Sequence, residues 1–99
     1  MRSAPTDGQG SGTAQQVRLI GKPGCHLCDE ARMVVAAECR RAGVPLSEVS
    51  ILDDADLHAR YWDQIPVVEV DGEQVEALRV DAARLRARLR PGRRRRLLW

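Results

Sequence analysis

The residues best equipped for chemistry lie close together in "GKPGCHLCDEA": Cys25 and Cys28 in C-x-x-C spacing, Lys22 three residues before the first, and His26 between them. Such a pair has three uses: a metal clamp, a redox couple, or two buried thiols. A closed zinc site usually takes four ligands, and the rest of the chain offers only Cys39, His26 and His58. On a continuous helix Cys39 would sit about 16 Å along the axis from Cys28. There is no second C-x-x-C, and Asp29 stands where a haem attachment motif needs histidine. The redox use fits better, and no metal ligands are assigned. A short apolar run, Val17–Ile20, ends at Gly21, and a helical pattern begins at His26. Cys25 is thereby placed at a helix N-terminus, where free N–H groups and the positive dipole end favour a thiolate. Lys22 and His26 add positive charge. Cys28 lies one turn deeper, placed to close a small disulfide ring.

The elements that hold this pair can be read from periodicity and stop signals. Val17–Ile20 is a strand. The helix from His26 to about Ala42 has Leu27, Ala31, Val34, Val35 and Ala42 on one side, with Gly43 and Pro45 as its stop. Glu38 falls in the middle of that apolar face, so either its stem reaches to solvent or the face is rotated. Leu46–Leu52 is a second strand, with Val49 and Ile51 on one side. Asp54 caps a short helix to about Trp62. Val67–Val70 and Gln74–Leu78 form a hairpin around Asp71-Gly72. Asp81 caps a last helix to Arg90, with Ala82, Leu85 and Leu89 inward, stopped by Pro91-Gly92. The order is β-α-β-α-β-β-α. The first two strands pair in parallel through a right-handed crossover, and the hairpin completes a four-stranded mixed α/β sheet with helices on both faces.

Composition sets the frame around this core. The chain has 99 residues, room for one domain, and 43% hydrophobic residues with no Phe. Fifteen of its sixteen basic residues are Arg, a bias that fits a GC-rich genome and weakens any nucleic-acid reading. Residues 1–83 carry eight basic and fourteen acidic residues; residues 84–99 carry eight Arg and no acid. The expected organisation is a disordered arm at 1–15, a domain at 16–90 and a basic tail at 91–99. The tail, with Arg93–Arg96, reads as solvated; contact with nucleic acid or an anionic membrane is the lesser reading. No signal peptide or membrane span stands out. A cytoplasmic monomer is expected, where a C-x-x-C is more often redox-active than structural.

The motifs "GKPGCHLCDEA" and "YWDQIPVVEVDG", in this strand order, resemble a small bacterial glutaredoxin-like protein of the thioredoxin superfamily. The resemblance covers residues 16–90. It implies a thioredoxin-like fold and thiol–disulfide oxidoreductase activity, with Cys25 attacking a disulfide and Cys28 resolving the mixed disulfide. It also implies a cis Ile65–Pro66 bond opposite the cysteines and a role for Lys22 at the carboxylate of glutathione. Three departures stand out. His-Leu separates the cysteines where Pro-Tyr is frequent. "EALRVD" lacks the Gly-Gly pair before the last helix, leaving Asp81 in the place of the acid that contacts the glutathione amine. Gly24 stands where thioredoxins place Trp. The expected substrate-binding residues are Lys22, Gly24, His26, Ile65, Pro66 and Asp81.

The remaining residues have structural roles. Cys39 is a small buried hydrophobe, His58 is solvated, and Asp53, Asp54 and Asp56 serve helix capping and not calcium. Of Tyr61 and Trp62, one packs beneath the proline loop. The expected substrate is a disulfide-containing protein or a mixed disulfide of a small thiol. No bound cofactor is needed, and glutathione or another low-molecular-weight thiol is the expected co-substrate. Two other classes stay open: a redox-sensitive binding module without turnover, and a metal or iron–sulfur carrier using the C-x-x-C.

Overall fold

A computed structural model describes residues 15–89 of the chain. The expected arm, except Gln15, and the basic tail lie outside the described residues. The elements are β1 (Val17–Gly21), α1 (His26–Ala42), β2 (Leu46–Ser50), a 3-10 turn (Ile51–Asp53), α2 (Ala55–Tyr61), β3 (Val67–Val70), β4 (Glu73–Ala77) and α3 (Ala82–Arg88). The sheet order is β2-β1-β3-β4, with β1 parallel to β2 and antiparallel to β3, and β3 antiparallel to β4.

The strand alternation divides the core into two layers. Val17 and Leu19 of β1 and Val68 and Val70 of β3 meet α1 and α3 through Ala31, Val35, Cys39, Leu85 and Leu89. Ile20 and Val67 point the other way, into a cluster with Ile51, Leu57, Tyr61, Ile65 and Cys28. Cys28 therefore belongs to the layer that holds the loop before Pro66. Each helix starts on a side chain that accepts a free N–H: Asp54 at α2 and Asp81 at α3. Gly43 ends α1 at φ 72°, and the Val44 N–H reaches back to the Cys39 carbonyl.

Several boundaries differ from the sequence reading. β2 stops at Ser50, whose hydroxyl accepts the Leu52 N–H and starts the 3-10 turn. The hairpin's second strand ends at Ala77, not Leu78, and β4 carries an irregular register where Val68 pairs with Glu76 but Glu69 pairs with Gln74. That bulge resets the alternation, so Glu76 is buried while Val75 is only partly covered. α3 ends at Arg88, and the Gln15 amide donates to the Arg88 carbonyl.

Glu38 does not reach solvent. It is 4% exposed, and both its oxygens take charged hydrogen bonds from Arg86 of α3, at 2.9 and 2.7 Å. Glu69 and Glu76 are buried in the same way, bound by Arg18 and Arg84. A carboxylate can stay in a core only with such partners. The Arg86 guanidinium holds the Glu38 carboxyl below the usual carboxylate range, against the opposing pull of burial. Arg84 does the same for Glu76. With folded values below the unfolded ones, the native state binds fewer protons. The stabilisation is thus present above the unfolded carboxyl value and is lost as pH falls through the folded value. Glu38→Gln is expected to flatten the acid side of the stability profile, read as urea midpoints below pH 5. An unchanged slope would remove Glu38 from that role.

Candidate active site

β1 delivers the chain to the site and α1 starts there. Between them, Gly24 turns the chain at φ 75°, a conformation glycine adopts without steric cost. Cys25 is the N-cap of α1, extended at φ −100° and ψ 113°. Its Sγ accepts the Cys28 backbone N–H at 3.2 Å. An N–H aimed at that sulfur, at the positive end of a seventeen-residue helix, stabilises negative charge on it.

Cys25 and Cys28 form a disulfide, with Cα atoms 5.1 Å apart. The two sulfurs are unequal in access: Cys25 is half-buried, and Cys28 is 2% exposed. The space for Cys28 comes from Gly21, a residue the sequence reading used only as a strand end. A Cβ at Gly21 would stand 2.9 Å from Cys28 Sγ and 3.2 Å from its Cβ. Gly21→Ala is therefore expected to cost about 1–3 kcal/mol, as overpacked cores do, and to slow closure of the disulfide by Cys28. A denaturant melt with the rate of ring closure checks it; unchanged values for both would refute the contact. The signal in sequence was faint: a glycine closing a strand, facing the first turn of the next helix.

The other expected site residues fall on two sides of the pair. Lys22 is exposed and has no ion-pair partner among the described residues. It lines a cleft of about 370 Å³ with Gly21, Pro23, Cys28, Arg32 and Val49. Asp81 lines a separate cleft of similar volume, between α1 and the segment before α3. The structure therefore does not bring Lys22 and Asp81 into one pocket. The Asp81 carboxylate accepts the Arg84 N–H at 2.8 Å, and its own N–H goes to Glu76. His26 contacts Glu30 one turn on, Nε2 to Oε2 at 2.8 Å.

Ile65 packs in the layer containing Cys28, with Cys25 partly buried against it. Pro66 is fully buried, and the Ile65–Pro66 bond is cis. Beneath this loop lies Tyr61, whose hydroxyl donates to Glu69 at 2.9 Å; burial pushes its phenol up. Trp62 is 60% exposed. Cys39 is a free thiol in the opposite layer, and burial pushes it up as well. Among the described residues, no group of three or more His, Cys, Asp or Glu is arranged to hold a metal ion. No described helix is long and apolar enough to cross a membrane.

Sequence reasoning missed Leu78. It has φ 69° without being glycine, and its N–H points to the carbonyls of Gln64 and Pro66, at 3.1 and 2.9 Å. Its pattern in sequence was that of a strand end, and nothing there signalled the turn.

Residues 16–90 match the sequence profile of the glutaredoxin-like domain. An X. campestris protein of known X-ray structure is 39% identical, with 72% of this chain and 91% of that one covered at a TM-score of 0.59. A Nitrosomonas europaea protein solved by NMR in solution is 21% identical, with 85% and 99% covered at 0.67. Fasciola hepatica thioredoxin, 18% identical, with 76% and 77% covered at 0.58, shares the fold. No curated protein matches the sequence.

Proposed function

This chain belongs to the glutaredoxin-like domain family, and on that premise we propose that it is a thiol–disulfide oxidoreductase with Cys25 as nucleophile and Cys28 as resolving cysteine. The observation that carries this reading is the Cys25–Cys28 pair itself: a disulfide at the start of α1, with one sulfur accessible and the other buried behind Gly21.

The cycle starts from the dithiol. Cys25 gives its proton to solvent, and its thiolate attacks one sulfur of a substrate disulfide. The substrate S–S bond breaks, the leaving sulfur takes a proton as a thiol, and a Cys25–substrate disulfide forms. Cys28, deprotonated in turn, attacks Cys25 Sγ. The second substrate sulfur leaves as a thiol and the Cys25–Cys28 disulfide closes. The substrate gains two electrons and two protons, and the protein loses them. Two equivalents of a low-molecular-weight thiol, glutathione among them, restore the dithiol and leave as their own disulfide. Lys22, Gly24, His26, Ile65 and Pro66 surround the reacting sulfurs in this proposal. Neither a metal nor a bound organic cofactor takes part. The proposed setting is the cytoplasm, with the protein acting as a monomer.

Single-turnover reduction of hydroxyethyl disulfide tests it. The dithiol protein is expected to reduce one equivalent and to return to the Cys25–Cys28 disulfide. A dithiol that consumes none would leave a binding role in place of turnover.

A further inference from the structure

Arg79 N–H to Ala77 carbonyl, 2.7 Å, closes a turn of three residues around Leu78 at φ 69°. This is a γ-turn of the positive-φ kind, which is rare and strained. Strain held at one residue bonded to the loop of the cis proline is a reason to ask what that residue does. Leu78 is 49% exposed. Its N–H is tied to the Gln64 and Pro66 carbonyls, so the turn is fixed to the loop that packs near the cysteines. On its other side it forms one wall of the cleft between α1 and the segment before α3, of about 370 Å³. The facing wall holds Leu27, which lies between Cys25 and Cys28 in sequence, and Val34, two turns further along the same face of α1.

The charges of this cleft are mostly spoken for. Glu30 faces His26 at 2.8 Å. Arg84 pairs with Glu76 at 2.9 Å and lies 4.0 Å from Asp81. The Asp81 N–H, at the start of α3, is taken by Glu76 Oε1 at 3.1 Å, so an internal carboxylate already sits there. Arg79 is the lining charge with no ion pair among the described residues. What is left for a ligand is an aliphatic slot with one open cation at its edge.

We propose that this cleft is a side-chain subsite for polypeptide disulfides, with Leu78 as its specificity-determining wall: it takes an aliphatic residue flanking the substrate cysteine, with an acidic neighbour against Arg79. The inference rests on the disulfide-exchange reading, because the occupant is placed by the sulfur it must bring to Cys25. Glutathione has no aliphatic side chain to fill the slot between Leu27 and Leu78.

The test compares short disulfide-linked peptides that flank the cysteine with Leu-Glu, Gly-Glu, Leu-Lys or Gly-Lys, and glutathione disulfide, each as kcat/KM relative to the same protein's rate with hydroxyethyl disulfide. The native chain is expected to prefer Leu-Glu over Gly-Glu by about tenfold, the scale of discrimination by a modest apolar contact. Leu78→Gly, which suits the positive φ, should erase that preference, and Leu78→Met should keep it. Arg79→Glu should turn the roughly threefold Glu-over-Lys preference into its reverse, with an effect that shrinks as salt rises. Equal rates with all peptides, a preference that survives Leu78→Gly, or glutathione disulfide outrunning Leu-Glu would each overturn the subsite while leaving the redox reading intact. A native dithiol that reduces none of these, hydroxyethyl disulfide included, would overturn the redox reading and the subsite with it.

Discussion

Cys25→Ser is expected to reduce disulfide turnover to the rate seen without protein, for small and polypeptide substrates alike. Serine puts a hydroxyl oxygen where the native N-cap sulfur accepts the Cys28 N–H, so α1 still has an acceptor there, and the fold should survive. What is lost is the thiolate, the nucleophile of the first step. Cys28→Ser removes a different step. The first attack still occurs, but the mixed disulfide on Cys25 has no internal thiol to release it. Turnover of polypeptide disulfides should then be limited by outside thiol, while glutathione mixed disulfides are still processed. Cys39→Ser should change neither rate, since Cys39 lies in the opposite layer, 3% exposed. The three variants together separate the nucleophile, the resolving thiol and the bystander. Activity retained by Cys25→Ser would overturn the assignment.

The second large effect concerns the layer away from the sulfurs. Leu85 is the fully buried residue by which α3 meets α1 and the sheet. Leu85→Ala is expected to cost about 2–5 kcal/mol, the range for removing a buried leucine side chain. Domains of this size hold about 5–15 kcal/mol in total, so the loss would appear as a large drop in urea midpoint. Cys25 and Cys28 belong to the other layer. Below the transition, the variant should therefore alkylate Cys25 at the native rate. An unfolding free energy within about 0.5 kcal/mol of native, the range of a surface change, would contradict the packing described for α3.

The order of elements and the place of the cysteine pair at a helix start were legible because they rest on local signals. A glycine turn after an apolar run, two cysteines one helical turn apart, Asp54 and Asp81 at helix starts, and Asp71-Gly72 between alternating runs each report on their own neighbourhood. Most of the misses are non-local. Glu38 spoils an apolar face only until Arg86, on another helix, is placed against it. The arginines that read as genome bias include the partners of three buried glutamates, Arg18, Arg84 and Arg86. The β4 bulge depends on how Glu69 meets Gln74 across the hairpin. Leu78 alternates like a strand residue, and its turn is held by the carbonyls of Gln64 and Pro66 and by the Arg79 N–H on Ala77. Lys22 and Asp81 looked like parts of one cradle, yet they line separate clefts. Gly21 read as a strand end until its missing Cβ was seen to make room for Cys28.

The central claim, that Cys25 is the attacking sulfur and Cys28 the resolving one, is tested most directly by trapping. Reduced Cys28→Ser protein would be mixed with a peptide disulfide, quenched in acid, digested and mapped by mass. The account predicts a peptide adduct on Cys25, none on Cys39, and release of the adduct by added thiol. An adduct on Cys39, or no adduct on Cys25 from a folded protein, would contradict it.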